Sequence, residues 1–322
     1  MGSETLVLLI HGLEGSSDSK YIASNTNHLN KKGLDTVCFN LRGCSGEDNL
    51  LLTTYHSGKT EDVDFVVQHL LKKYTYKNIV IVGFSLGGNL TLKYLGEKGA
   101  NISPIIKGGI ATSVPIDIAS AEVEMEKLKN KLYMEMFFKT MKNKILEKAH
   151  KFPEYKLDKD KLFKATKFKH LEYLYSVPVF GFESPEDYWK KASSKPYLSK
   201  IKKPTLLINA KDDTFLSREC FPFDEAENSE FFFFEESENM TVYVDDGRPF
   251  IKRASIRKQS YDYIILDAFS GDYIPEHMLT EEFLEEVKSI MTADGVLVAN
   301  TFSTSRLYDH ESVTYQRVFG EF

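Results

Sequence analysis

The chain has 322 residues, 42% of them hydrophobic, and a formal net charge of −6. This length and apolar content predict one large globular domain or two smaller ones, and the acidic balance argues against a nucleic-acid partner. No apolar run reaches the length of a membrane span, and residues 1–12 are expected to form a first core strand rather than a signal peptide. Three cysteines, a sparse and odd set, favour a reducing, cytoplasmic setting without a disulfide framework.

Strand-like and helix-like segments alternate along the first two-thirds of the chain. Short apolar runs predict strands at residues 5–10, 36–40, 78–84, 105–114, 204–210 and 229–235. Helical patterns lie between the first four strands, at residues 17–32, 59–73 and 87–97. Within 59–73, the apolar positions expected to face the core are Val63, Phe65, Val66, Leu70 and Leu71. The alternation predicts an α/β fold with a doubly wound, mostly parallel sheet.

The sequence Gly83-Phe84-Ser85-Leu86-Gly87 places a G-x-S-x-G motif between a predicted strand and a predicted helix. A tight turn of this kind lifts the serine hydroxyl above the end of a sheet, and side chains at the two glycines would clash where the backbone turns back. The context favours Ser85 as a nucleophile over a surface turn. The expected oxyanion donors are the backbone N–H of Leu86 and one near Leu13, in the loop after the first strand.

Acyl transfer by a serine also needs an acid and a base. Asp212 and Asp213 follow the strand at 204–210, and Asp213 is favoured as the acid; the alternative is a strand-ending turn. His277 and His310 follow Asp213 in chain order, and His277 is the preferred candidate for the base, although neither directly follows the expected strand. The expected outcome is an incomplete triad, which retains only the rate enhancement of the oxyanion hole and of binding.

Several motifs within residues 5–236 resemble, in the same order, those of the YheT-like α/β-hydrolase esterases. They are H-G-L-E-G-S at 11–16, L-R-G-C-S-G at 41–46, Y-H-S-G at 55–58, G-F-S-L-G-G-N at 83–89, P-I-D at 115–117, Y-W at 188–189 and N-A-K-D-D at 209–213. The resemblance implies hydrolysis of a carboxylic ester, with Ser85 as nucleophile and Asp213 as triad acid. It further implies oxyanion amides from Leu13 and Leu86 and a structural role for His56.

Two features depart from that family's pattern. The family has more chain ahead of the first strand, and its triad histidine lies in a Gly-Gly-His-type turn after the last strand. Here the corresponding residues are Glu238-Asn239-Met240. The Lys-rich segment 119–198 is predicted to be helical and to form a cap over the catalytic end of the sheet. The alternative is an ordinary helical segment whose aromatic side chains pack on the core of the sheet. The lysines of 119–198 are expected to form a solvated face rather than a phosphate site.

Residues 239–322 resemble the second half of a spermidine-synthase-like, S-adenosylmethionine-type Rossmann domain. The pattern predicts a strand and acidic turn at 241–248, a buried strand at 261–268, a helix at 281–291, a turn at Asp294-Gly295 and a strand at 296–302. The resemblance implies that Asp246 and Gly247 contact adenine and that Asp267 faces the reacting amine. Because no G-x-G-x-G follows a strand in this chain, we favour the alternative, that these acids hold no ligand.

The sequence thus predicts an α/β-hydrolase domain at 1–237, with its cap at 119–198, and a partial Rossmann-like segment at 238–322. The predicted function is a serine hydrolase that acts on a small-molecule carboxylic ester through an acyl-enzyme on Ser85, without metal or cofactor. The alternatives are an inactive hydrolase-fold fusion with a binding role, or an aminopropyltransferase-like remnant in the last third. The joined arrangement fits a natural fusion, a gene-model artefact or a chimera.

Overall fold

The computed structural model describes residues 2–237, 247–266, 279–299 and 308–320. The chain divides into two units, Met1–Met240 and Thr241–Phe322. No helix in the described ranges is both long and apolar enough to cross a membrane.

Six strands form the sheet of the first unit, in the order β2-β1-β3-β4-β5-β6. Every neighbouring pair is parallel, so the carboxyl ends of all six strands lie along one edge. This confirms the predicted parallel α/β sheet. The strands are β1 Thr5–Ile10, β2 Asp35–Phe39, β3 Asn78–Phe84, β4 Ile106–Thr112, β5 Thr205–Ala210 and β6 Phe232–Ser237.

Helices cover both faces of this sheet. On one face, Val7 and Leu9 of β1 pack with Ile22 of the first helix. On the other face, the alternate residues of β1 pack with buried residues of the next two helices. Strands covered on both sides need continuous apolar runs, which is why β1 and β3 were recognisable in the sequence. These helices are α1 Lys20–Lys31, α2 Thr60–Lys73 and α3 Leu86–Lys98.

One predicted core position on α2 is wrong. Val63 and Leu70 are buried, as expected, but the Phe65 side chain is 74% exposed. Two residues along a helix rotate the side chain by about 200°, so Phe65 points away from the face that carries Val63. Val67, which the sequence analysis left out, is fully buried instead.

The segment between β4 and β5 is helical, and no strand occurs in it among the described residues. Its own core contains Met134, Phe138, Leu162 and Phe168, with Leu13 from the loop after β1 packed against it. The predicted cap therefore has a separate hydrophobic core that meets the carboxyl edge of the sheet. Its helices are α4 Ile118–Met125, α5 Lys131–Lys151, α6 Lys159–Lys164, α7 Phe168–Leu171, α8 Val177–Phe180 and α9 Pro185–Ala192, with a π-helical turn at Glu172–Ser176 and single 3₁₀ turns at Leu128–Asn130 and Lys195–Lys200.

In the described parts of the second unit (247–266, 279–299 and 308–320), two parallel strands and three helices are present. Its core is formed by residues such as Phe283, Leu284 and Val287. The elements are α11 Gly247–Ile256, β7 Tyr261–Leu266, α12 Glu281–Ser289, β8 Met291–Ala299 and α13 Tyr308–Phe319; the short helix α10 Phe223–Glu227 precedes β6 in the first unit.

Two predictions in this unit need correction. The sequence pattern does not predict α11, and the predicted turn at Asp294-Gly295 lies within the strand β8. The pairing with β7 shifts from Tyr261–Met291 to Tyr263–Val296. Four residues of β8 thus lie opposite one residue of β7, so the pairing is locally irregular. The Asp-Gly pair therefore lies in an irregular stretch within a strand and not in a connection between elements.

Candidate active site

Ser85 is the single residue between the end of β3 and the start of α3. Its backbone has φ +51° and ψ −117°, a region that non-glycine residues rarely occupy and that is typical of strained functional turns. The Ser85 N–H donates to the carbonyl of Thr112 at 2.8 Å, and its carbonyl accepts from Asn89 N at 3.0 Å. The end of β4 and the first turn of α3 thus hold the elbow in place.

Three glycines allow the backbone segments around Ser85 to approach closely. A Cβ on Gly83 would lie 2.2 Å from the carbonyl oxygen of Gly87, and one on Gly87 would lie 2.3 Å from that of Ile10. Real Cβ atoms do not come so close to backbone oxygen, so both positions require glycine. A Cβ on Gly12 would lie 3.2 Å from Ser85 Cβ, which shows that the loop after β1 passes directly beside the elbow.

His11 holds that loop. The ring is fully buried; Nδ1 lies 2.7 Å from the carbonyl of Gly12, and Nε2 accepts from Leu41 N at 3.1 Å. Because Nε2 is the acceptor, Nδ1 carries the hydrogen and donates to Gly12. Burial lowers the pKa of His11, so the ring is neutral. Both ring nitrogens are therefore engaged in shaping the loop.

Glu14 connects the same loop to the cap. It has a positive φ of 54°, and its carboxylate accepts from Tyr55 OH at 2.5 Å. Lys144 of α5 pairs with this carboxylate at 3.0 Å, and the Glu14 side chain is only 7% exposed. The Glu14 backbone N–H donates to Tyr55 OH at 3.2 Å. The loop that carries Leu13 is therefore fixed from the cap side as well as from the core side.

The structure brings three predicted site residues to one cavity. Ser85, Leu13 and Leu86 line a cavity of about 120 Å³ between the carboxyl edge of the sheet and the cap. The cavity is also lined by aliphatic, methionine and phenylalanine side chains, those of Pro115, Ile118, Ala121, Met125, Met141, Ile145, Phe168 and Leu171.

Asp213 lies in the turn after β5, on the same edge of the sheet. Its carboxylate accepts from Phe215 N at 3.0 Å, and it is half-buried whereas Asp212 is exposed. Asn130, in the cap, donates to the carbonyl of Thr214 at 2.8 Å and so anchors this turn. Asp213 is not among the residues that line the Ser85 cavity. The structure thus brings Ser85, Leu13 and Leu86 together but keeps Asp213 at the edge of the sheet outside this cavity.

Within residues 2–237, no imidazole makes a hydrogen bond to Ser85 Oγ. His56 lines the cavity, but its Nδ1 accepts from Gly58 N at 3.1 Å. Burial lowers the pKa of His56 to about 3. Its ring packs edge-on against those of Phe180, Phe182 and Tyr188.

The remaining predicted residues lie outside the described part of the chain. They are His277, Asp246, Asp267 and the side chain of His310. In the described ranges, no group of three or more His, Cys, Asp or Glu residues is arranged to hold a metal ion.

Sequence reasoning missed two carboxyl groups of the cavity. Glu122 of α4 and Glu172 of the π-helical turn both line it. They are separated along the chain and sit on different elements, so neither spacing nor periodicity pairs them in advance. Asn89 is a further missed residue: its buried amide donates to Ser57 O at 2.8 Å and Ala192 O at 2.9 Å, which joins α3 to the cap.

Comparison with known proteins gives two separate matches. Residues 5–219 match the family described as alpha/beta hydrolase fold, and residues 216–321 match the spermine/spermidine synthase domain. Both resemblances seen in the sequence are confirmed.

Individual relatives divide in the same way. The putative esterase YheT of Escherichia coli is 29% identical over 221 residues, covering 68% of this chain and 64% of the relative. Human phospholipase ABHD3 is 29% identical over 224 residues, covering 69% of this chain and 54% of the relative. The polyamine aminopropyltransferase of Vibrio vulnificus is 60% identical over 92 residues, covering 29% and 31%. The chain thus spans about a third to two-thirds of the length of these curated relatives.

Among solved structures, the Pyrococcus furiosus esterase Pf2001 aligns with a TM-score of 0.46 at 20% identity, covering 73% of this chain and 74% of that one.

Proposed function

This chain belongs to the α/β-hydrolase fold family, and on that premise we propose that it hydrolyses a carboxylic ester through an acyl-enzyme on Ser85. The observation that carries the proposal is the strained elbow at Ser85, which opens into a mostly apolar cavity beside Leu13 and Leu86. An apolar lining suits an aliphatic acyl group. A non-glycine residue at positive φ is costly and persists where the surrounding structure enforces it.

In the proposed reaction, Ser85 Oγ bonds to the ester carbonyl carbon and its proton passes to a base. The carbonyl oxygen becomes an oxyanion, which the backbone N–H groups of Leu13 and Leu86 stabilise. The N-terminus of α3 adds a favourable dipole at the same place. Collapse of the intermediate breaks the bond to the leaving oxygen, which takes the proton from the base and departs as the alcohol. Water then attacks the acyl-enzyme, the acid is released, and a proton of that water returns to Ser85 Oγ.

We assign Asp213 as the acid of the proposed triad and propose that the triad has no working base; His277 is the alternative, and it would complete the triad. No imidazole within residues 2–237 accepts the proton of Ser85, so we expect slow turnover. Loss of a triad member leaves a residual rate enhancement of roughly 10³–10⁴ over water, from binding and the oxyanion hole. We therefore expect Ser85-dependent hydrolysis that is measurable but far below that of a complete triad.

Hydrolysis of p-nitrophenyl butyrate by the full chain and by Ser85→Ala tests this proposal. We expect the wild-type chain to hydrolyse the ester faster than the variant and to give an acyl adduct on Ser85 in mass spectrometry. Added imidazole should accelerate the wild type more than the variant, because it supplies the proton acceptor. Equal rates for the two folded proteins, with no adduct, would refute the assignment. A further loss in His277→Ala, but not in His310→Ala, would support His277 as the base.

A second candidate is a hydrolase-fold protein that binds an ester without turning it over. Its support is that no imidazole within residues 2–237 makes a hydrogen bond to Ser85. This candidate predicts saturable binding of the p-nitrophenyl ester and equal, background hydrolysis by wild type and Ser85→Ala.

For residues 247–320 we propose no transfer activity. The match to the aminopropyltransferase covers 31% of that relative, and this sequence has no G-x-G-x-G after a strand to hold a cofactor. Calorimetry with S-adenosylmethionine is expected to show no binding, and a measurable heat of saturation would overturn this view.

A further inference from the structure

One wall of the Ser85 cavity carries two glutamates that ester hydrolysis does not use. Glu122 is on α4 and Glu172 is on the π-helical turn Glu172–Ser176. Glu172 is only 5% exposed, and the two carboxyl groups lie within hydrogen-bonding reach of each other. Single π-helical turns are often found at functional sites, and this one directs Glu172 and Tyr175 to the same cavity.

The pair is only partly satisfied by the protein. Trp189 Nε1 donates to Glu172 Oε1 at 3.0 Å. Glu172 Oε2 is buried and accepts no hydrogen bond from an N–H or hydroxyl group among the described residues. A buried carboxylate oxygen without such a donor is costly unless it shares the proton of the neighbouring Glu122 carboxyl group, so a ligand that donates a hydrogen bond here would take the place of that proton.

The nearby positive charges are committed to other carboxylates. Lys144, which also lines the cavity, pairs with Glu14. Lys169 lies over the Trp189 ring, 5.8 Å from its centroid, but pairs with Glu186. Glu126, which pairs with Lys167 at 3.6 Å, adds a further negative charge near Glu172.

The electrostatics of the pair agree with this arrangement. Burial and the neighbouring acids raise the pKa of both Glu122 and Glu172, as expected when two carboxyl groups have no cation between them. The empty pair therefore retains a proton, and a bound cation would take its place.

We propose that Glu122 and Glu172 form a subsite for a primary ammonium group, so that the ester hydrolysed at Ser85 carries an amine. The ammonium would donate to Glu172 Oε2 and to Glu122, and the retained proton would leave to solvent. The rings of Tyr175 and Tyr188 also line the cavity, and aromatic rings favour a nearby cation. This inference rests on the proposed function for the ester part of the ligand, whereas the ammonium subsite itself does not.

Calorimetric binding to the full chain tests the subsite with simple probes. The probes are propyl-, hexyl- and nonylammonium, each compared at neutral pH with the alcohol of equal length. We expect at least one ammonium to bind roughly tenfold or more tightly than its alcohol, as a hydrogen bond to a charged group provides. Glu172→Gln should remove this preference, and Glu135→Gln, a change on the exposed side of α5 (63% exposed), should retain it.

No preference at any length in the wild-type chain would overturn the proposal, as would an unchanged preference in folded Glu172→Gln. If that variant does not fold, Glu122→Gln and the wild-type comparison still decide. Hydrolysis separates this proposal from the function. If the preference for ammonium persists in Ser85→Ala and no hydrolysis depends on Ser85, the subsite proposal is supported and the esterase proposal is refuted. The opposite result is hydrolysis that depends on Ser85, with equal rates for p-nitrophenyl 6-aminohexanoate and p-nitrophenyl heptanoate and equal binding of ammonium and alcohol probes. It would support the esterase proposal and refute the subsite.

Discussion

Lys148 of α5 offers a stringent test of how the cap is attached. Its side chain is 1% exposed, and its ammonium pairs with Asp48 at 2.7 Å. The same ammonium donates to the carbonyls of Asn49 at 2.9 Å and Leu51 at 2.5 Å. Lys148→Met keeps the buried stem but removes every one of these bonds. Removing one partner of a buried ion pair lowers the free energy of unfolding by about 3–5 kcal/mol. Because Asp48 would still pair with Lys151, we expect a loss of about 3 kcal/mol.

Lys151→Met is the matched control. Lys151 pairs with the same carboxylate at 2.6 Å, but its side chain is 50% exposed, so its loss should cost less than about 1 kcal/mol. The sequence contains one tryptophan, Trp189, and it lies in the cap, so its fluorescence during urea unfolding reports on this region. A large drop in the unfolding midpoint for Lys148→Met and a small one for Lys151→Met is expected. Equal shifts would mean that burial does not set the strength of this contact.

Three further predictions use the same unfolding assay. Leu70→Ala on α2 should lower the free energy of unfolding by about 2–4 kcal/mol because it leaves a cavity, whereas Phe65→Ala should change it by less than about 0.5 kcal/mol. A larger loss for Phe65→Ala than for Leu70→Ala would mean that Phe65 is in the core. Gly87→Ala should cost about 2 kcal/mol or more through overpacking against Ile10 O, while Gly2→Ala, whose Cβ meets nothing within 4 Å, is the control. Burial lowers the pKa of His56 to about 3, below the unfolded value near 6.5, so stability is complete above about pH 6.5 and falls as pH drops toward 3. His56→Gln should lose stability less steeply over that range, and parallel curves for the two proteins would contradict the neutral, buried ring.

Local patterns predicted the sheet and the elbow because these features depend on neighbouring residues. The strand at 78–84 coincides with β3, since a strand covered on both faces needs an unbroken apolar run. The glycines at 83 and 87 are required by backbone approaches within one strand–turn–helix unit. Local sequence therefore carried enough information to identify both.

The contacts that join the cap to the sheet depend on residues far apart in the chain. Lys144 and Lys148 follow helical spacing and look like part of a solvated lysine stripe, and that interpretation was wrong for these two. Their partners Glu14 and Asp48 lie about a hundred or more residues earlier. Only the folded chain shows that this side of α5 faces inward and that its charges are paired.

The same distinction applies to the proton acceptor for Ser85. A histidine that acts as a general base needs a ring nitrogen with a free lone pair. Its pKa must also lie near the working pH, so that the ring can take up a proton. His11 has no free nitrogen, because Nδ1 donates to Gly12 and Nε2 accepts from Leu41. His56 uses Nδ1 as its acceptor, so its hydrogen is on Nε2, and burial disfavours the imidazolium that a base must become. His11 and His56 are therefore excluded as the base by hydrogen bonding and burial, which agrees with our expectation that Ser85 reacts slowly and responds to added imidazole.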